Sequence, residues 1–243
     1  MTNLEALNFF KNKLHGPIPD IFSKEKIFIL RLGFNLLSGQ VPSLIGFIKN
    51  LTHLDVKTNK ITGTLPSSLG LLTKLIDLNA RHLSSLSGTI PTEIGQLSLL
   101  KHMAFIFFQV SGTIPSEIGL LTSLRIKLLL GENQLTGTIL TELGLLTDVG
   151  DMSLRNNQLT GPIPSELGLM TSCGRKGGPP GGSLTVSGGP PGGTGPGGGS
   201  KPDNDAADLY PATSSGSQLN DLPPPVDGRL GGGEPLRPMG PCP

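Results

Sequence analysis

LTHLDVKTNKITGTLPSSLGLL, residues 51–72, holds the pattern that decides the fold. Leu54 and Val56 alternate with Asp55 and Lys57, the period of two expected of a strand with one buried face. Asn59 follows, then Ile61-Thr62-Gly63, where the glycine marks a turn. Pro66 discourages a long helix, so the return through Leu69, Gly70 and Leu72 is an extended or short 3₁₀ path. A unit of strand, turn and irregular return cannot bury its own leucines. It buries them by stacking on copies of itself.

The copies are present. The phrase Leu-x-Gly-x-Ile-Pro, with small variations, recurs around Gly16, Gly39, Gly63, Gly88, Gly112, Gly137 and Gly161, at steps of 23, 24, 25, 24, 25 and 24 residues. Upstream of each glycine runs Leu-x-x-Leu-x-Leu-x-x-Asn, as in Leu4, Leu7, Phe9 and Asn12, or Val149, Met152, Leu154 and Asn157. Downstream runs Pro-x-x-Leu/Ile-Gly-x-Leu, as in Pro115, Ile118, Gly119 and Leu121.

This pattern resembles the plant-specific leucine-rich repeat of receptor-like kinases, receptor-like proteins and polygalacturonase-inhibitor-type proteins, over residues 4–172. The resemblance implies an α/β-type solenoid: a right-handed superhelix of about seven repeats with a parallel sheet on its concave face. It also implies a non-catalytic recognition module that meets a peptide, protein or glycan on that face, and an extracellular or cell-surface location.

Composition divides the chain. Residues 1–172 carry 16 of the 35 glycines and 8 of the 22 prolines. Residues 173–243 carry the rest, with apolar residues scattered and without period. Such a stretch cannot offset roughly 1–2 kcal/mol of backbone entropy per residue. The expected organisation is a leucine-rich-repeat solenoid at 1–172 and a Gly/Pro-rich disordered tail at 173–243. A second role considered from the tail is that of a wall- or matrix-associated structural module, the Gly/Pro stretch serving as a tether.

Each repeat is expected to bury its asparagine four residues before the glycine and bond it to turn backbone: Asn12, Asn35, Asn59, Asn133 and Asn157. The fourth repeat has Leu83 or Ser84 there, the fifth Phe108, and the sixth replaces the proline by Leu140. Extra residues fall near Leu83–Ser85 and Arg125–Lys127. These breaks are either neutral drift or local bulges that shape a ligand site. The capping helix and cysteine pairs of such ectodomains are not visible, so Leu4, Leu7 and Phe9 at one end, and Leu167, Leu169 and Met170 at the other, are expected to be under-covered. A fragment of marginal solubility is the expectation.

Other chemistry finds no foothold. Net charge is +1 with both signs interspersed, which offers no electrostatic footprint for nucleic acid or an anionic membrane. No signal-peptide pattern opens the chain, and no run approaches the length of a membrane span. Cys173 and Cys242 make neither a disulfide framework nor a metal motif. No P-loop, kinase triplet or nucleophile elbow occurs, so no catalytic residue, cofactor or metal is expected. Asn50-Leu51-Thr52 is a glycosylation sequon.

Residues between the buried leucines of each strand point to the concave side. They are Lys11, Arg31, His53, Asp55, Lys57, Asp77, Asn79, Arg81, His102, Glu132, Asp151, Ser153 and Arg155, with Phe10, Phe34 and Phe107 on or near the same face. The simplest reading of each alone is a solvated side chain. Together they form the candidate ligand-binding face, with aromatic anchors and mixed charges that steer and select. Asp55 and Asp77 are expected to pair with Lys57 and Arg81.

Overall fold

Alternation at Leu54–Lys57 becomes one short strand, and the same happens in every repeat. The computed structural model describes residues 4–20, 26–170 and 183–185, all within one unit spanning Met1–Gly193. Coil one contributes β1 (Ala6–Asn8) and β2 (His15–Gly16); coil two, β3 (Ile29–Arg31) and β4 (Leu36–Leu37). Coil three gives β5 (His53–Asp55) and β6 (Thr62–Thr64); coil four, β7 (Asp77–Asn79) and β8 (Ser85–Gly88). Coil five gives β9 (His102–Ala104) and β10 (Gln109–Thr113); coil six, β11 (Lys127–Leu129) and β12 (Gln134–Thr136). Coil seven gives β13 (Asp151–Ser153), and β14 spans Ser183–Thr185.

The odd-numbered strands and β14 form one parallel sheet in the order β1-β3-β5-β7-β9-β11-β13-β14. The register puts like on like. Leu7, Leu30, Leu54, Leu78, Met103, Leu128 and Met152 stack across successive coils. All but the first are at most 2% exposed; Leu7, on the first strand of the order, is half-buried. One continuous apolar core follows, from Ile18 to Leu167. A second short parallel sheet, β12-β10-β8-β6, grows from the Thr/Ser-Gly-x segments beside it.

The return path is 3₁₀, as the prolines require. Five-residue turns span Ser43–Phe47, Ser67–Leu71, Thr92–Gln96, Ser116–Leu120, Thr141–Leu145 and Ser165–Leu169, each preceded by an extended Pro, or by Leu140 in coil six. Leu140 keeps φ −82°, ψ 142°, so the missing ring is tolerated.

The residue just before each ladder position is left-handed in every coil: Lys11, Phe34, Thr58, His82, Phe107, Glu132 and Asn156, with φ between 49° and 60°. That conformation costs an L-residue roughly 1–2 kcal/mol, and in the coils that have one, the ladder asparagine bridges the backbone around it. Asn59 shows how. Its amide donates to Val56 and Lys57 carbonyls in its own coil and to the Leu32 carbonyl in the coil below, while its Oδ1 accepts the Leu37 N–H at 3.0 Å. Asn35 and Asn157 repeat the arrangement.

At the breaks, apolar side chains replace the ladder. Leu83 and Phe108, 0% and 5% exposed, join the core, and Phe108 stacks on Phe105 at 5.7 Å between centroids. Ser84 is exposed, which settles the ladder position of coil four on Leu83. The break is felt one coil further on: Asn133 keeps its three donor bonds, but its Oδ1 is buried without a partner among the described residues.

The ends differ from expectation in two ways. Leu169 is 61% exposed, yet Leu120 and Leu145, at the same position inside the solenoid, are 61% and 58% exposed, so its exposure belongs to its position in the turn. β14 lies within the stretch read as tail and pairs with β13, Leu184 in register with Met152. Adding a strand to an open edge uses backbone groups and needs no side-chain period. The rest of 173–243, both cysteines included, lies outside the described residues.

Candidate functional site: the sheet face

Side chains on either side of the stacked leucines form rows across the sheet. One row runs His53, Asp77, His102, Lys127, Asp151, and its neighbour runs Arg31, Asp55, Asn79, Ala104, Leu129, Ser153. Adjacent strands lie about 4.8 Å apart, so polar side chains meet across them. Asp77 Oδ1 is 2.8 Å from His102 Nδ1, and Lys127 Nζ is 3.9 Å from Asp151 Oδ2. Lys57 Nζ is 3.5 Å from Asp55 Oδ2, and Arg155 Nε is 3.4 Å from Glu132 Oε1. The expected Asp55–Lys57 pair is therefore present, while Asp77 takes His102.

Three of the expected residues occupy this face without being solvated. Asn79, His102 and Ser153 are 4%, 2% and 7% exposed. His102 Nε2 and Asn79 Oδ1 are buried with no partner among the described residues. With Nδ1–H donating to Asp77, the neutral ring presents Nε2 as an acceptor. His102 and Asp77 thus have the geometry of a base and its orienting carboxylate, but no hydroxyl or thiol meets Nε2, as a nucleophile would. His53 bonds Thr52 Oγ1 at 2.8 Å instead. Among the described residues no three His, Cys, Asp or Glu side chains gather closely enough to hold a metal.

Burial tunes two groups here. It pushes the Asp55 carboxyl above its ordinary 3.8, against the nearby Lys57 ammonium and the Lys57 N–H that it accepts at 3.1 Å. It pushes His53 below 6.5, reinforced by Arg31 and Lys101 and opposed by Asp77.

The aromatic residues fall into two clusters. Phe10 and Phe34 meet edge to face at 5.2 Å, and Lys57 Nζ sits 5.2 Å and 5.6 Å from their centroids, a shared cation–π contact. Lys57 is thus held between Asp55 and two rings. In coils four to six, exposed His82 stacks on Phe107 at 4.6 Å, beside the apolar group Ala104, Ile106 and Leu129. The sequence reading found Phe107 but not this group, nor Lys127. The signal was available: coils five and six carry Ala104, Ile106 and Leu129 where coils three and four carry Asp55, Lys57, Asn79 and Arg81. The extra residue near Arg125–Lys127 had blurred the register of coil six.

Lys11, Arg31, Arg81, Glu132, Asp151 and Arg155 keep exposed or half-buried side chains on the face or its rim. Asn50 lies away from it, just beyond the Ser43–Phe47 turn, its Oδ1 accepting from Lys74 Nζ at 2.8 Å.

The Leucine Rich Repeat family matches residues 50–72 and 151–170. Receptor-like kinase TMK4 of Arabidopsis thaliana is 38% identical over 66 residues, 27% of this chain and 7% of that protein. A TDR receptor structure superposes with TM-score 0.65 and 31% identity, over 68% of this chain and 29% of its own. The Arabidopsis receptor kinase HAESA, in complex with the peptide hormone IDA and the co-receptor SERK1, superposes with TM-score 0.64 and 32% identity, over 69% and 28%. The chain spans less than a third of each of these proteins.

Proposed function

Because the chain is a plant-type leucine-rich-repeat protein, we propose that it is a ligand-binding module whose sheet face recognises an extended peptide segment of another protein. The observation that carries this reading is the replacement of plain solvated residues by organised rows. Three oppositely charged pairs, one His–Asp hydrogen bond and two aromatic clusters are set along one face. A peptide lying across the strands meets a new pair or ring at each step, which suits selection by side-chain sequence. HAESA, of similar fold, is in complex with a peptide hormone. Glycan recognition has weaker support, since Lys57 already occupies the Phe10–Phe34 pair on which a sugar ring would stack.

The module works by recognition: ion pairs and rings set along the face select side chains, and receptor structures of similar fold are in complex with peptides. By the same likeness it acts outside the cell or at its surface. The test is selection of a random dodecapeptide library on the immobilised chain. Peptides are expected to be enriched, and the double variant Lys57→Glu, Arg81→Glu should weaken them at least tenfold. Enriched peptides that bind this variant unchanged would remove the sheet face from consideration.

A further inference from the structure

On the side opposite the sheet, the last residue of each 3₁₀ turn is apolar and solvent-facing in five coils. Phe47, Leu71, Leu120, Leu145 and Leu169 are 39–61% exposed, with Gln96 at the same position in coil four. The fold does not need them there, because the next residue of each coil, such as Leu72 or Leu146, already fills the core. The row is closely set. The turn glycines let successive turns touch: a Cβ added to Gly70 or Gly144 would stand 2.3 Å or 2.5 Å from the carbonyl oxygen of Glu93 or Glu166 in the next coil. An exposed apolar ridge on a folded surface, here interrupted at Gln96, marks an interaction site.

The charge beside the ridge changes sign along it. A 3₁₀ turn has three residues per turn, so the residue three before each ridge position shares its face. That residue is Leu44 or Ser68 in coils two and three, and Glu93, Glu117, Glu142 and Glu166 in coils four to seven. Just past the ridge, coils two and three carry exposed Lys49 and Lys74; Lys49 Nζ lies 5.4 Å from the Phe47 ring. Asp148 takes the place of Lys74 in coil six. Among the described residues of coils five to seven, exposed Arg125 lies two residues before β11, next to the sheet and away from the ridge.

We infer that this ridge is a self-association surface, on which two copies of the chain pair antiparallel about a two-fold axis. A two-fold interface must complement itself. A ridge basic at one end and acidic at the other does so only when antiparallel. Coil two then faces coil seven and coil three faces coil six, bringing Lys49 to Glu166 and Lys74 to Glu142 while Phe47 and Leu71 cover Leu169 and Leu145. A partner of one uniform charge would match only half of the ridge. Glu93 and Glu117 gather at the centre without an opposing cation, which makes the dimer weak and reversible.

Sedimentation velocity on the full chain tests this. The mass is expected to rise with concentration from 25.3 kDa toward twice that value. Lys49→Glu with Lys74→Glu should leave a monomer, and adding Glu142→Lys and Glu166→Lys to the same chain should restore the dimer. Leu145→Asp should also give a monomer with an unchanged circular dichroism spectrum, because the side chain is 58% exposed. Glu93→Gln with Glu117→Gln should tighten association. A chain that stays monomeric at all concentrations overturns the inference. So does a charge swap that is not rescued, or a dimer indifferent to both Leu145→Asp and the lysine reversal, which would place association at the solenoid ends.

Discussion

Replacing ladder asparagines by alanine one at a time should give graded losses of stability, with the grade set by how many neighbouring groups each one satisfies. Asn157, 6% exposed, donates to the carbonyls of Leu130, Leu154 and Arg155 and accepts the Leu135 N–H at 3.0 Å. Its two amide hydrogens and one oxygen make about three bonds' worth of interaction at about 1 kcal/mol each, and its loss strands the buried Leu135 amide at a further ~1–3 kcal/mol, so Asn157→Ala should cost about 4–6 kcal/mol. Asn133 makes three such donor bonds but accepts nothing, so Asn133→Ala should cost about 2–3 kcal/mol. Asn12 is exposed and, among the described residues, bonds the Phe9 and Phe10 carbonyls of its own coil alone, so Asn12→Ala should cost about 1 kcal/mol or less. Urea unfolding followed by circular dichroism reads the order from the shift of midpoint at constant slope. Equal shifts for Asn12→Ala and Asn157→Ala would refute the argument, because they would mean that bonds between coils add nothing to bonds within them.

Asp55, its carboxyl held above 3.8 by burial, binds a proton more readily folded than unfolded, so stability should fall as pH rises through the window above 3.8; Asp55→Asn should remove that fall and raise the urea midpoint at neutral pH. His53, held below 6.5, has the opposite sign: stability is full above 6.5 and lost as pH drops beneath it, and His53→Gln should flatten that loss in the same titration. Thr58 is β-branched at φ 49°, so Thr58→Asn, the residue already tolerated at Asn156, should raise the thermal midpoint by an amount corresponding to about 1 kcal/mol; an unchanged midpoint would show the position unstrained. Gly144→Ala should destabilise by more than about 1 kcal/mol, because its Cβ would meet the Glu166 carbonyl oxygen at 2.5 Å, whereas Gly168→Ala, with nothing within 4 Å among the described residues, should be neutral; equal effects would deny the close approach of successive turns.

The stacking of coils was legible in the sequence because it rests on periodicity alone. Leucines at a fixed step have one way to share a core, and Leu30, Leu54 and Leu78 take it. The sheet face was legible as a set of positions and not as a set of environments. Alternation assigns His102 and Asn79 to the same side as His53 and Asp55, but burial depends on what the neighbouring strands carry, and that requires the register of coils four to six. Extra residues near Leu83 and Arg125 make that register ambiguous in sequence. Phe108 illustrates the same limit: its intrusion is visible as a missing asparagine, but its consequence, an unpartnered Asn133 Oδ1, appears one coil away. β14 was out of reach, since edge pairing leaves no side-chain signature.

The two surfaces make separable demands, and Asn50 distinguishes them. Its side chain meets Lys74 on the ridge side, at the coil where the antiparallel pairing brings Glu142 across. A glycan on its amide nitrogen leaves Oδ1 able to accept from Lys74 but would stand between the two copies, while the sheet face, on the other side of the core, would be untouched. Chain produced through a secretory route with the sequon occupied should therefore sediment as a monomer and still retain any dodecapeptide selected on the unglycosylated chain. Asn50→Gln from the same route should regain the dimer. Glycosylated chain that dimerises as well as the bare chain would show that the ridge is not the contact, whatever becomes of peptide binding. Loss of the peptide with the dimer intact would show that recognition does not reside on the sheet.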